Sequence, residues 1–163
     1  MIRLPSLSKP SHAFVSFDDA IVQPPQPPAD SADEEALAAY KKAAEEHYAK
    51  IRAARQTGDW APVTIEGKHP LRFLMRPMPF DGYAVIQGML ERGENREDIL
   101  LLAMQLCLLE IDGAAVEVKK EKHPRFGEIA SLSFLDKFGT AQGLRIAVEL
   151  GAIAIQRAGA DPS

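Results

Sequence analysis

The sequence predicts a mainly α-helical protein: a compact helical bundle with one short β-hairpin, preceded by an extended N-terminal arm and a long Ala-rich helix. Three stretches predict it. The run from Asn95 to Ile111, NREDILLLAMQLCLLEI, is apolar on nearly every side of a helix, and a helix without a polar face must be enclosed. Residues 31–57 are rich in Ala, Glu and Lys, which favour helix intrinsically. The prolines of the QPPQPP run at 23–28 lack amide donors and favour an extended polyproline II path. The expected division is an arm over 1–30, a charged helix over 31–58 and a globular domain over 60–158.

Within the arm, Phe14, Val15, Phe17, Ile21 and Val22 are short apolar touches among polar residues. The composition suits a spacer, or a peptide arm docking on a partner through Phe14 and Phe17. Removing residues 1–28 is therefore expected to leave folding intact. In the next segment Ser31 and Glu34 match a capping box, acidic residues fill the first turn, and Gly58 supplies the stop. Leu37, Tyr40, Ala44, Tyr48 (or His47) and Ile51 recur at spacings of three and four. That thin seam suits either a helix lying on the domain or a face for self-association or a partner.

From Trp60 the period changes to two. Val63 and Ile65 flank Thr64, and Leu71, Phe73 and Met75 alternate after the Gly67 turn, a hairpin pattern. Trp60, at the start of the hairpin, is expected to cap an apolar patch. Asp81 is the expected N-cap of a helix from Gly82 to Arg92. Asn95 then opens the core helix, which is expected to run to Asp112-Gly113; Leu102→Asp or Leu106→Asp should unfold the domain. Residues 114–126 read as a charged connector in which Val116 and Val118 allow a short strand. Phe126–Phe138 reads as a helical turn and a short helix capped by Ser131 or Ser133. Thr140–Ala158 reads as a closing helix, with Gly143 and Gly151 allowing close approach to a neighbour, and the tail GADPS as polar and frayed.

The charge pattern points away from several function classes. Net charge is −4, and residues 1–60 carry 7 basic against 9 acidic side chains while the remainder carries 12 against 14. No basic half exists to track phosphates, so no nucleic acid is expected. The core run is too short to span a bilayer, so no membrane partner is expected. The N-terminus MIRLPSLSKPSHAF lacks the continuous apolar run of a signal peptide, and the single Cys107 offers no disulfide framework. The expected compartment is cytoplasmic. His12, His47, His69 and His123 have no metal-ligand spacing, no glycine motif cradles phosphate, and Ser131 and Ser133 lack a nucleophile frame. The expectation is no enzyme, no catalytic or metal residues and no cofactor. The partner-binding candidates are Phe14, Phe17, Leu37, Tyr40, Tyr48, Ile51 and Trp60.

Residues 60–67, Trp-Ala-Pro-Val-Thr-Ile-Glu-Gly, lead into 71–78, Leu-Arg-Phe-Leu-Met-Arg-Pro-Met, then an acidic N-cap and a helix. A second helix follows with Ala103, Met104, Cys107 and an Asp112-Gly113 turn, and terminal helices follow Phe126. This order resembles the tail assembly chaperones of long-tailed bacteriophages, which set a hairpin ending in an Arg-Pro-hydrophobic step before a helical bundle. The resemblance covers roughly residues 60–155 and departs at the N-terminus, where the arm and Ala-rich helix are longer. It implies binding of the tape measure protein and tail tube subunits during tail morphogenesis, in the host cell cytoplasm, with a homo-oligomer possible. Two other readings stand beside it: a structural virion subunit (connector, tube-end or baseplate) docking through its N-terminal arm, and a small regulator or inhibitor of a host protein.

Overall fold

The computed structural model describes residues 10–159; the expectations for residues 1–9 and for the tail beyond Gly159 lie outside them. The chain is mixed α and β, with four α-helices and two small antiparallel sheets among these residues. It divides into two compact units, one formed by residues up to Val15 together with those from Leu71 onward, the other by Ser16–Pro70.

In the first unit, strands β1 (Ser11–Ala13), β2 (Arg72–Met75) and β3 (Leu108–Asp112) form a sheet in the order β1-β2-β3. Ala13, Phe73 and Ile111 stand side by side in its register and are all buried. The alternate row, His12, Leu74 and Glu110, is half-buried or exposed. Period-two alternation thus sorts one face to the core and one to solvent. Helices α2 (Phe80–Glu91) and α3 (Arg96–Cys107) follow β2, and α4 (Thr140–Gly159) closes the chain. Strands β4 (Lys120–His123) and β5 (Gly127–Ala130) form a hairpin with Lys120 opposite Ala130 and His123 opposite Gly127. Its turn is tied by Phe126, which stacks on His123 at 4.7 Å.

The core centres on the α3–α4 contact. Ile99, Leu100, Met104 and Leu106 of α3 are buried, as are Ile146, Leu150 and Ile153 of α4. A Cβ added to Gly151 would lie 2.1 Å from the Leu100 carbonyl oxygen, and one added to Gly143 would lie 2.7 Å from that of Leu135. The close approach expected of the closing helix is therefore made against backbone. Ser131 caps the 3-10 segment Leu132–Phe138, as expected, by accepting from the Ser133 amide at 3.2 Å. Asn95 likewise caps α3, accepting from the amides of Glu97 and Asp98.

The second unit holds α1 (Glu34–Thr57), ended by Gly58 at φ 76°, a left-handed backbone that favours glycine. Its N-cap is Asp33, which accepts from the Ala36 amide at 2.8 Å, rather than the expected Ser31. A 3-10 turn at Ala61–Val63 contacts α1. In this unit Ala20, Ile21, Ile51, Ala54, Trp60 and Val63 are buried.

Besides the Asp33 cap, further sequence expectations are corrected, the helical turn expected from Phe126 giving way to strand β5. The hairpin spanning Val63 to Met75 does not form. Pro62 sits at the start of the 3-10 turn, Thr64 makes only a single bridge to Ile21, and the Ile65 amide donates to the Ala20 carbonyl at 2.8 Å. β2 pairs instead with β1 and β3. The core helix stops at Cys107, and Leu108–Asp112 leaves it as a strand because β2 supplies a paired edge. α2 begins at Phe80, behind Pro79, with Asp81 in its first turn rather than at the cap. Finally, the stretch 10–28 is not a plain spacer: Ser11–Ala13 is a sheet strand, and Val15, Ala20 and Ile21 are buried.

Candidate interaction surfaces

The partner-binding residues expected from the sequence separate by burial. Ile51 and Trp60 are 5% and 4% exposed and belong to the interior, so they present no surface to a partner. Ile51 lies on the last turns of α1, the part that meets the 3-10 turn beginning beside Trp60. Phe14, Phe17 and Tyr40 are half-buried. Leu37 and Tyr48 are 41% and 51% exposed. They are eleven positions apart, and at about 100° per residue they return to within about 20° of each other on the helix. The structure therefore leaves one apolar line along α1, Leu37 to Tyr48, with Ala44 between them half-buried.

A second surface was not singled out from the sequence. Among the described residues β3 is an edge strand of its sheet. Beside it runs an open groove of about 660 Å³, lined by Leu109 to Asp112 of β3 and by the segment from Ala114 to Val118. Ala114, Val116 and Val118 are half-buried while Ala115 and Glu117 are exposed, so alternate side chains close one wall. The segment is irregular rather than the short strand its valines allow. Glu110, Asp112 and Glu117 give the groove an acidic lining, with Lys120 as its basic member. An unpaired edge next to a trough with an apolar wall suits an extended polypeptide, which pairs through main chain and is selected through alternate side chains. The signal lay in the sequence at Leu109, Glu110, Ile111 and Asp112, an apolar–acidic alternation that a helical reading of the run obscures.

Three cations surround the junction of α3 and β3, and each has a donor committed to a carbonyl. Arg76 Nε donates to the Leu106 carbonyl at 2.7 Å, and Lys120 Nζ to that of Leu108 at 2.9 Å. Arg157 reaches from α4 to the His12 carbonyl at 2.9 Å and the Ser11 hydroxyl at 3.2 Å, holding β1 in place. Arg76 thus supplies positive charge to the carbonyl end of α3, where it is favourable. Burial pushes the Lys120 ammonium below its ordinary range, with Arg76 acting the same way and Glu128 and Glu110 opposing. Burial also lowers Arg157. Cys107, between these groups, is buried, and desolvation pushes its thiol up to about 12 against the opposing pull of Arg76 and Arg157. A thiol held neutral in this way is a packing residue rather than a nucleophile.

Among the described residues no group of three His, Cys, Asp or Glu side chains is placed to hold a metal ion, and no helix is long and apolar enough to cross a membrane. His12 Nε2 lies 3.2 Å from Asp112 Oδ2 across the outer face of the sheet, a contact that bridges the two edge strands. Comparison of this chain with protein-family models, with curated proteins and with solved structures finds no match.

Proposed function

We propose that this protein is a tail assembly chaperone of a long-tailed bacteriophage, a binding protein rather than an enzyme, which holds the tape measure protein and tail tube subunits during tail morphogenesis in the host cytoplasm. The observation that carries the binding part of this reading is the groove beside β3, an acidic trough with an apolar wall against an unpaired strand edge. Such a surface holds a client polypeptide without cofactor. The family part rests on the order of elements: β2 ends at Met75, the Arg76-Pro77-Met78 step follows, and α2, α3 and α4 come after it. The hairpin that the resemblance sets before this step does not form, and β2 finds its partners in β1 and β3.

A structural role in the virion is favoured by one different observation, the solvent-exposed Leu37–Tyr48 line of α1, which suits docking on a neighbouring subunit. Affinity capture of the tagged full chain from cells expressing its neighbouring genes, with mass spectrometry of finished particles, separates the two. The chaperone reading predicts recovery of the tape measure protein, no signal in particles, and loss of capture in Val116→Arg with unchanged melting. A stoichiometric signal in particles, or capture indifferent to Val116→Arg, contradicts it.

A further inference from the structure

From the exposed face of α1 we infer that two copies of this chain associate through antiparallel pairing of their α1 helices, with Leu37 of each copy packed against Tyr48 of the other. Glu34 through Ala39 are exposed at every position, so the first turns of α1 are covered by none of the described residues of their own chain. Intrachain packing takes the opposite end of the seam, burying Ile51 and Ala54. What remains is the line from Leu37 to Tyr48, about 16 Å along the axis at about 1.5 Å per residue.

Charge selects a second copy, and the antiparallel direction. With Leu37 opposite Tyr48, each position pairs with the one whose number completes the same sum. Asp33 then lies opposite Arg52, and Glu34 is its neighbour. Glu34 and Arg52 both sit about 60° to one side of the apolar line, counted at about 100° per residue. In an antiparallel pair residues on the same flank face each other, so Glu34 meets Arg52 of the second copy. Lys41 and Glu45, also on that flank, meet in the same way. Both pairs occur twice by symmetry, since an interface between identical copies uses one self-complementary patch. A parallel pair brings opposite flanks together at equal heights, so Glu34 and Arg52, which share one flank and lie about 27 Å apart along the axis at about 1.5 Å per residue, would not meet. The helix dipoles also oppose favourably only in the antiparallel pair. The apolar line is short, so the association is expected to be weak, in the micromolar range. This inference is independent of the chaperone reading and would survive its failure.

The test uses the full chain. Light scattering after size-exclusion should give a concentration-dependent monomer–dimer equilibrium. Leu37→Asp, at an exposed position, should leave the circular dichroism and melting unchanged while weakening the dimer at least about tenfold. Glu34→Arg should weaken it, and Glu34→Arg with Arg52→Glu should restore it. For direction, Leu37→Cys chains are mixed with Tyr48→Cys chains and treated with a short bis-maleimide; the native Cys107 is buried. Cross-linking is expected in the mixture and in neither variant alone, because like positions lie about 16 Å apart along the axis. A monomer at about 100 µM, well above the micromolar range expected, would overturn the inference. So would a dimer indifferent to Leu37→Asp, or cross-linking of Leu37→Cys with itself.

Discussion

Helices α1 and α4 span 24 and 20 residues, yet opposite kinds of physics hold them in place. α1 is formed from the inside, by alanines of high propensity, the Asp33 cap, acidic residues in its first turn and the Gly58 stop. Its buried residues are Ile51 and Ala54, near its end. α4 carries glycines at 143 and 151, which lower its intrinsic propensity, and it buries seven residues. There the glycines are tolerated because they let backbone meet backbone, at Leu135 and Leu100. Propensity builds a helix whose surface is left for other molecules; packing builds one whose surface is consumed by its own chain.

The largest effects should come from breaking the packed region. Leu106 is fully buried, so Leu106→Asp is expected to abolish the cooperative melting transition, whereas half-buried Leu102→Asp should retain a weakened one. Deleting residues 1–28 should have an effect of the same order. It removes β1 and the buried Val15, Ala20 and Ile21, at about 1.5–3 kcal/mol for each large side chain. Melting of the truncated chain checks it; an unchanged transition would return this segment to the spacer that its composition suggests.

Gly151→Ala comes next and sharpens the comparison, because its sign runs against propensity. An exposed helical Gly→Ala gains about 1 kcal/mol, but here the new methyl would meet the Leu100 carbonyl, and a loss of about 3 kcal/mol is expected in urea unfolding. Gly143→Ala should lose less, since the gap at Leu135 is wider.

The Cys107 thiol gives a pH test of the same core. Its folded value of about 12 lies above the ordinary 9.0, so the fold favours the neutral form. That contribution to stability is complete below pH 9 and is lost as pH rises from 9 toward 12. Iodoacetamide at pH 8 should leave the native chain unmodified and label it in denaturant; rapid native labelling would contradict the packing. The smallest effect belongs to α1: Ala43→Gly, at an exposed position, should cost about 1 kcal/mol, confined to helicity.

The sequence disclosed α4 to within a residue and the end of α1 at Gly58, because stops and glycine spacing are local signals, while the α1 cap fell on Asp33 rather than Ser31. It disclosed α3 only to Cys107, since Leu108-Leu109-Glu110-Ile111 can continue a helix or start a strand, and a short apolar run does not distinguish them. The choice is made by β2, thirty-odd positions away in sequence. Likewise Val63 and Ile65 carry strand periodicity, but their partners are Val22 and Ala20, too distant for a turn pattern to reveal. Of the interaction surfaces, the Leu37–Tyr48 line was legible as a helical spacing. The β3 groove was not, because it exists only once the core run has been divided into helix and strand.

Native-state hydrogen exchange along the full chain tests most directly the claim that α4 is held by packing and α1 by propensity. Amides from Ile146 to Ala154 and from Leu100 to Leu106 should exchange only through global unfolding. Those from Leu37 to Ala44 should exchange orders of magnitude faster in dilute solution and slow as the protein is concentrated. Equal protection of the two helices in dilute solution, or faster exchange in α4, would contradict the account.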